Sequence, residues 1–218
     1  MDYINYIIIF LLIAIIMFLL SRLSNTSPFR RSFHKKPWQT KIDVRGDVTL
    51  TFHLPSKRED SSTAVKDAVF DVMYQNPELN RLTVISEKAI PFDFKCFVTF
   101  RFLCKLDLRK CNIINNHNFD IFGFFEMLVL PESIHCIHFA EDCRELKDLY
   151  IPSSHLVPAF QLYGKPIRVD PAFCLLVRPS LVRAYQDSPE WAKLQFFSES
   201  GKQIKLKVEA AHSFSECF

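Results

Sequence analysis

From Tyr6 to Leu20 the chain reads YIIIFLLIAIIMFLL, with no charged residue. Extending the run back to Tyr3 adds Asn5 as its one strongly polar side chain. As a helix at 1.5 Å per residue it is about 27 Å long, close to the hydrocarbon thickness of a thin bilayer. A helix that is apolar all round cannot lie on the surface of a globular domain. The run therefore predicts a single N-terminal transmembrane helix, an anchor over residues 1–21. A cleaved signal peptide is the competing reading. It needs a basic leading region and a small-x-small cleavage site. Here the chain opens Met-Asp, and Ser21-Arg22-Leu23-Ser24 fits such a site poorly, so an uncleaved signal-anchor is the better match.

Charge gives the anchor an orientation. Arg22, Arg30, Arg31, Lys35, Lys36 and Lys41 follow it without an acid until Asp43, whereas only Asp2 precedes it. By the positive-inside rule the C-terminal bulk faces the cytoplasm, as the domain of a single-pass membrane protein. The sequon Asn25-Thr26-Ser27 sits too close to the apolar run to be a comfortable glycan acceptor. The whole net charge of +3 arises in this stretch, since 21 basic and 23 acidic residues remain outside these termini. That balance argues against nucleic acid as a partner. It suits membrane lipid, bound through the anchor and a basic tether over residues 22–41, where each cation beside an anionic leaflet contributes about 1 kcal/mol.

Residues 42–218 read as one globular domain without an internal repeat. Val48 to Leu54 alternates cleanly, as a strand with one wet face does. Ser61 and Ser62 are caps for a helix reaching Tyr74, with Val65, Ala68, Val69, Val72 and Met73 as its apolar stripe. Asn76-Pro77 stops it. Arg81 to Ser86 is a short strand. Phe94 to Leu108 alternates for longest and predicts one long strand, which pairs as a hairpin with the apolar run Phe119 to Leu130. Ala140 to Tyr150 suggests helical turns, Ala172 to Val177 a buried strand, and Ser188-Pro189-Glu190 a helix start. Lys193 to Ser198 and Lys202 to Glu209 flank Gly201 as a terminal hairpin. The expected fold class is thus α+β, a mainly antiparallel sheet with one covering helix, and the 22 phenylalanines supply an aromatic core.

Signals of chemistry are sparse. Four widely separated glycines cannot make a dinucleotide or P-loop fingerprint. Seven cysteines, an odd number without tight pairing, form a poor disulfide framework and suit reduced thiols. The sharpest cluster is His135, Cys136 and His138 with Cys143, to which His117 could add. It lacks the paired spacings of structural zinc, so no metal, cofactor or catalytic residue is assigned. No nucleophile elbow is present.

The succession VTLTFHL, a serine-capped helix ending DVMY, RLTVIS, FFEMLVLP, LVPAFQLYGKPIRV and KLQFF…KLKVEAAHSF resembles the layout of rhabdovirus matrix proteins and matrix-related accessory proteins. The resemblance spans about Val48 to Phe214. It implies a non-enzymatic viral assembly protein that binds nucleocapsid and the inner membrane face. Residues and resemblance together predict a membrane-anchored binding or structural protein engaged in protein–protein interaction, with an unidentified protein partner and oligomerisation left open. The alternative is a membrane-tethered enzyme whose Cys/His site is assembled from distant residues.

Overall fold

Leucine and its aliphatic relatives recur two apart at Leu106 and Leu108, Leu128 and Leu130, Leu149 and Ile151, and Leu175 and Val177, and every one of these eight side chains is buried. The computed structural model describes residues 38–53, 61–91, 97, 102–114, 119–121 and 123–211, all within one unit that spans 37–218. In it the recurring pairs lie side by side. The described chain opens with the hairpin β1 (Trp38–Ile42) and β2 (Val48–Phe52), then helix α1 (Ser61–Gln75) and strand β3 (Arg81–Pro91). Short strands follow: β4 (Lys105–Asp107), β5 (Cys111–Ile114), β6 (Phe119–Ile121), β7 (Met127–Val129), β8 (Ile137–Phe139), β9 (Asp142–Cys143), β10 (Asp148–Ile151), β11 (Ala159–Gln161), β12 (Ile167–Val169) and β13 (Cys174–Val177). The helices α2 (Val182–Gln186) and α3 (Pro189–Ala192) precede β14 (Phe196–Phe197), β15 (Gln203–Ile204) and β16 (Lys207–Ala210).

The strands form three sheets. The main sheet runs β1-β2-β3-β4-β7-β10-β13-β16, with β5 beside β3; the others run β11-β8-β6 and β15-β14-β12-β9. Successive coils therefore visit the main, second and third sheets in turn, as in β7-β8-β9 and β10-β11-β12. This is a parallel solenoid, in which each coil covers only its neighbours. Its central register is continuous: Leu82, Leu106, Leu128, Leu149, Leu175 and Val208 pair in line. Coil lengths from Leu106 onward are 22, 21, 26 and 33 residues. The first three fall in the range of leucine-rich coils, whose L-x-L signature they share. Pro131, Pro152 and Pro179 follow the inward pairs and turn the chain out of the sheet.

Aromatic rings fill the wider end of the coil. Phe139 meets Trp191 and Phe196 edge-on at 6.0 and 5.7 Å, and Phe173 lies 5.1 Å from Phe196. Helices α2 and α3 hold the buried backbone of Val157, with Tyr185 Oη accepting from its N–H at 3.0 Å and Trp191 Nε1 donating to its carbonyl at 2.8 Å. Hairpins close the described ends of the stack. Each turns on a glycine of positive φ, Gly46 at 83° and Gly201 at 80°, a conformation that costs other residues energy.

Much of the expected architecture is corrected. The sheets are mainly parallel, and only β1 with β2 and β14 with β15 pair antiparallel among the described residues. The segment 94–108 supplies a strand only at Lys105–Asp107, with 94–96 and 98–101 outside the described residues. Phe119 to Leu130 divides between two sheets at β6 and β7. Ala140 to Tyr150 is β9, a turn and β10, because Cys143, Leu146 and Leu149 face the core as coil residues. The repeat exists after all; its unequal coils conceal it. No helix among the described residues is long and apolar enough to cross a membrane. The anchor expected over residues 1–21 lies outside the described residues, so the transmembrane part of the fold class has no support. Other expectations hold. α1 buries Val65, Ala68, Val69, Val72 and Met73, and Ser188 Oγ caps α3 by accepting from Trp191 N.

Leu149 is fully buried with a leucine on either side, so Leu149→Ala should cost about 3 kcal/mol in urea unfolding. Tyr185→Phe removes only the acceptor for the Val157 N–H and should cost about 1–3 kcal/mol by the same measurement.

Candidate functional site

The histidine–cysteine cluster is split by the coil. On β8, alternation turns Ile137 and Phe139 inward and His138 outward, between Asp120 of β6 and Phe160 of β11 in register. His138 Nδ1 lies 3.3 Å from Asp120 Oδ1, and its Nε2 lies 3.6 Å from Cys136 Sγ. Phe160 meets the ring edge-on at 5.9 Å. Cys143 is instead in the core, its thiol donating to the Ile121 carbonyl at 3.5 Å. His135 stacks on His155 at 6.0 Å. No group of three potential metal ligands occurs among the described residues. His117 lies outside them, as do Arg22, Arg30, Arg31, Lys35 and Lys36; Lys41 is exposed on β1.

Cys136, His138 and Asp120 have the order of a thiol, a base and its orienting acid. The thiol is not activated. Burial holds Cys136 above its ordinary range, and the Asp120 charge adds to this. A nucleophilic cysteine needs the opposite environment. Desolvation also pushes Cys111 and Cys143 up to about 12. The five described cysteines are all free.

A different surface stands out on the outer face of the main sheet. Pairing in register places Thr83, Asp107, Val129, Tyr150, Leu176 and Glu209 in one outward row. Met127 and Cys174 belong to the neighbouring row. Met127, Val129, Tyr150 and Cys174 on this face are buried without belonging to the main hydrophobic cluster. Asp107 is held by Arg109, whose Nη2 lies 2.6 Å from one carboxylate oxygen and whose backbone N–H donates to the other at 2.9 Å.

Where these strands end, the face opens into a cleft of about 500 Å³ lined by Arg109, Glu132, Tyr150, Arg178, Pro179 and Ser180. Arg109 and Arg178 fill the same coil position, three residues after Leu106 and Leu175. Pro131 and Pro152 fill it in the two coils between. At about 4.8 Å per strand, some 14 Å of sheet separates the two backbones. Both long side chains border the cleft around Tyr150. Arg178 Nε donates to the Pro152 carbonyl at 2.5 Å, and its Nη2 reaches Glu132 at 3.4 Å. Burial raises the Tyr150 phenol to about 12 despite the two cations, so it is protonated at neutral pH.

The cleft was not legible in the sequence. Nothing in the sequence links Arg109 with Arg178, 69 positions apart, because only the coil register brings them together. No protein-family model, curated protein or solved structure matches the chain. The resemblance to matrix proteins rests on its quoted segments alone.

Two outcomes follow for the thiols. Cys111 and Cys143 ionise near 9.0 when unfolded and near 12 when folded. Their contribution is complete below pH 9, and stability should fall as pH rises from 9 toward 12; a pH series of urea midpoints measures this. Cys136 should alkylate more slowly than a free thiol at neutral pH, and His138→Ala should alter its rate by less than about twofold. A larger drop would mark His138 as an activating base.

Proposed function

We propose that this chain is a non-enzymatic binding protein that holds a protein partner against the outer face of its main parallel sheet. The observation that carries the reading is the in-register outer row, which brings half-buried Leu176 beside the open cleft of Arg178 and Ser180. Leu176, set among Arg109, Arg178, Lys105, Lys207 and their acidic neighbours, gives this face one apolar contact within a polar rim. A solenoid suits the role, since each added coil extends one continuous surface. The protonated, partly buried thiol of Cys136 favours binding over the Cys/His enzyme alternative. The occupant is taken to be another protein, because a row running across six strands exceeds what a small metabolite covers.

Photo-crosslinking in cells that express the full chain tests this. A crosslinking residue in place of Leu176 should give one discrete adduct, and one in place of Phe160 on the second sheet should give none. Excess unlabelled chain should compete the adduct away, and the Leu176→Lys chain should compete about tenfold less well, equivalent to roughly 1.4 kcal/mol. Equal adducts from both positions would contradict the reading. An adduct only with a second copy of the chain would contradict the choice of a foreign partner.

A further inference from the structure

We infer that the cleft between Arg109 and Arg178 is a carboxylate seat for an acidic segment of the partner, occupied in the free protein by Glu132. The inference rests on the binding role proposed for the outer face and names the chemistry that the partner must bring.

The two arginines are not equivalent. Arg109 is committed. Its ion pair with Asp107 is short, at 2.6 Å, and the Asp107 side chain is only 6% exposed. That pair has the geometry and burial of a structural element. Arg178 is tied differently. Its Nε is spent on the Pro152 carbonyl, which fixes where the guanidinium sits. Its Nη2 meets Glu132 at a loose 3.4 Å, and the Glu132 side chain is 64% exposed. An exposed pair at that separation is close to neutral in free energy, so another carboxylate can displace it at little cost. The guanidinium is positioned while its counter-ion is exchangeable.

The rest of the lining agrees. Ser180 is exposed beside Arg178 and offers a hydroxyl. Tyr150 lies between the arginines as a neutral phenol and adds no charge to the cleft. Once Asp107 has neutralised Arg109, one cation is left for the ligand. One carboxylate balances it, whereas a phosphate dianion would carry one charge more than the site offsets. Half-buried Leu176 in the adjoining row takes an apolar side chain next to the acidic one.

The test uses the full chain with three short labelled peptides, alternating leucine with glutamate, with glutamine, or with phosphoserine, read by fluorescence anisotropy. The glutamate peptide should bind about two- to fivefold tighter than the glutamine peptide at low salt, and the preference should shrink at high salt. Glu132→Gln removes the internal competitor and leaves the Arg178–Pro152 bond in place, so it should tighten glutamate-peptide binding severalfold. Arg178→Gln should abolish the preference. Equal binding of glutamate and glutamine peptides, or weaker binding after Glu132→Gln, would overturn the seat. Tighter binding of the phosphoserine peptide would overturn the carboxylate assignment. If the Leu176 photo-adduct persists in Glu132→Gln and Arg178→Gln chains while the peptides show no preference, only the carboxylate seat fails. If the adduct is absent from the unmodified chain, the binding role itself fails.

Discussion

Everything described here depends on one ladder of side chains. Leu106, Leu128, Leu149 and Leu175 stack in register through four parallel strands, each fully buried or nearly so. A slip by one residue would turn the whole set to the outside and bring Asp107 and Tyr150 in, so the apolar ladder fixes register strongly. Once it is fixed, the opposite face follows without further instruction. Asp107, Val129, Tyr150 and Leu176 must line up outward, and the residues three past each leucine must form a second row. Arg109, Pro131, Pro152 and Arg178 make that row. The cleft is thus a consequence of core packing with two arginines placed at its ends.

The ladder also explains why the coils can differ so much. Strand pairing is set by three or four residues, and what lies between has only to return to the next rung. The coil of 21 residues returns through β8 and β9, and the coil of 26 through β11 and β12, whereas the coil of 33 takes in α2, α3 and the β14–β15 hairpin. Closure of a longer loop adds little entropy cost for each added residue. The insertion carries its own polar obligations, and Tyr185 and Trp191 meet those of Val157.

Local features were legible in the sequence wherever they are decided locally. The stripe from Val65 to Met73 specified α1, and Ser188 with Pro189 specified the start of α3. Alternation from Val48 to Leu54 specified a strand, observed over Val48–Phe52, and the run Ala172 to Val177 holds the buried strand Cys174–Val177, with Ala172 itself exposed. Pairing direction was not legible. A three-residue strand such as Met127–Val129 is too short to show a period, and apolar alternation serves parallel and antiparallel neighbours alike. The long alternation from Phe94 to Leu108 suggested a hairpin because nothing within it marks where a coil begins. The repeat escaped notice because its rungs are Leu-x-Leu, Leu-x-Ile and Leu-x-Val at unequal intervals. The site was hidden for the same reason, since Arg109 and Arg178 become neighbours only through the register. His135, Cys136, His138 and Cys143 are close in sequence, yet the coil leaves Cys136 and His138 together on the second sheet and turns Cys143 into the core from the third.

The central claim is the parallel, in-register ladder, and methyl NMR tests it most directly. With leucine methyls labelled, nuclear Overhauser contacts should run from Leu106 to Leu128, from Leu128 to Leu149 and from Leu149 to Leu175, since neighbouring strands lie about 4.8 Å apart. No direct contact should link Leu106 to Leu175 across the two strands between them. Close Hα–Hα contacts joining the segment that ends at Leu108 to the one between Phe119 and Leu130 would instead reveal an antiparallel hairpin, whose non-hydrogen-bonded pairs bring Cα atoms to about 4.5 Å. That result would remove the ladder, and with it the outer row and the cleft.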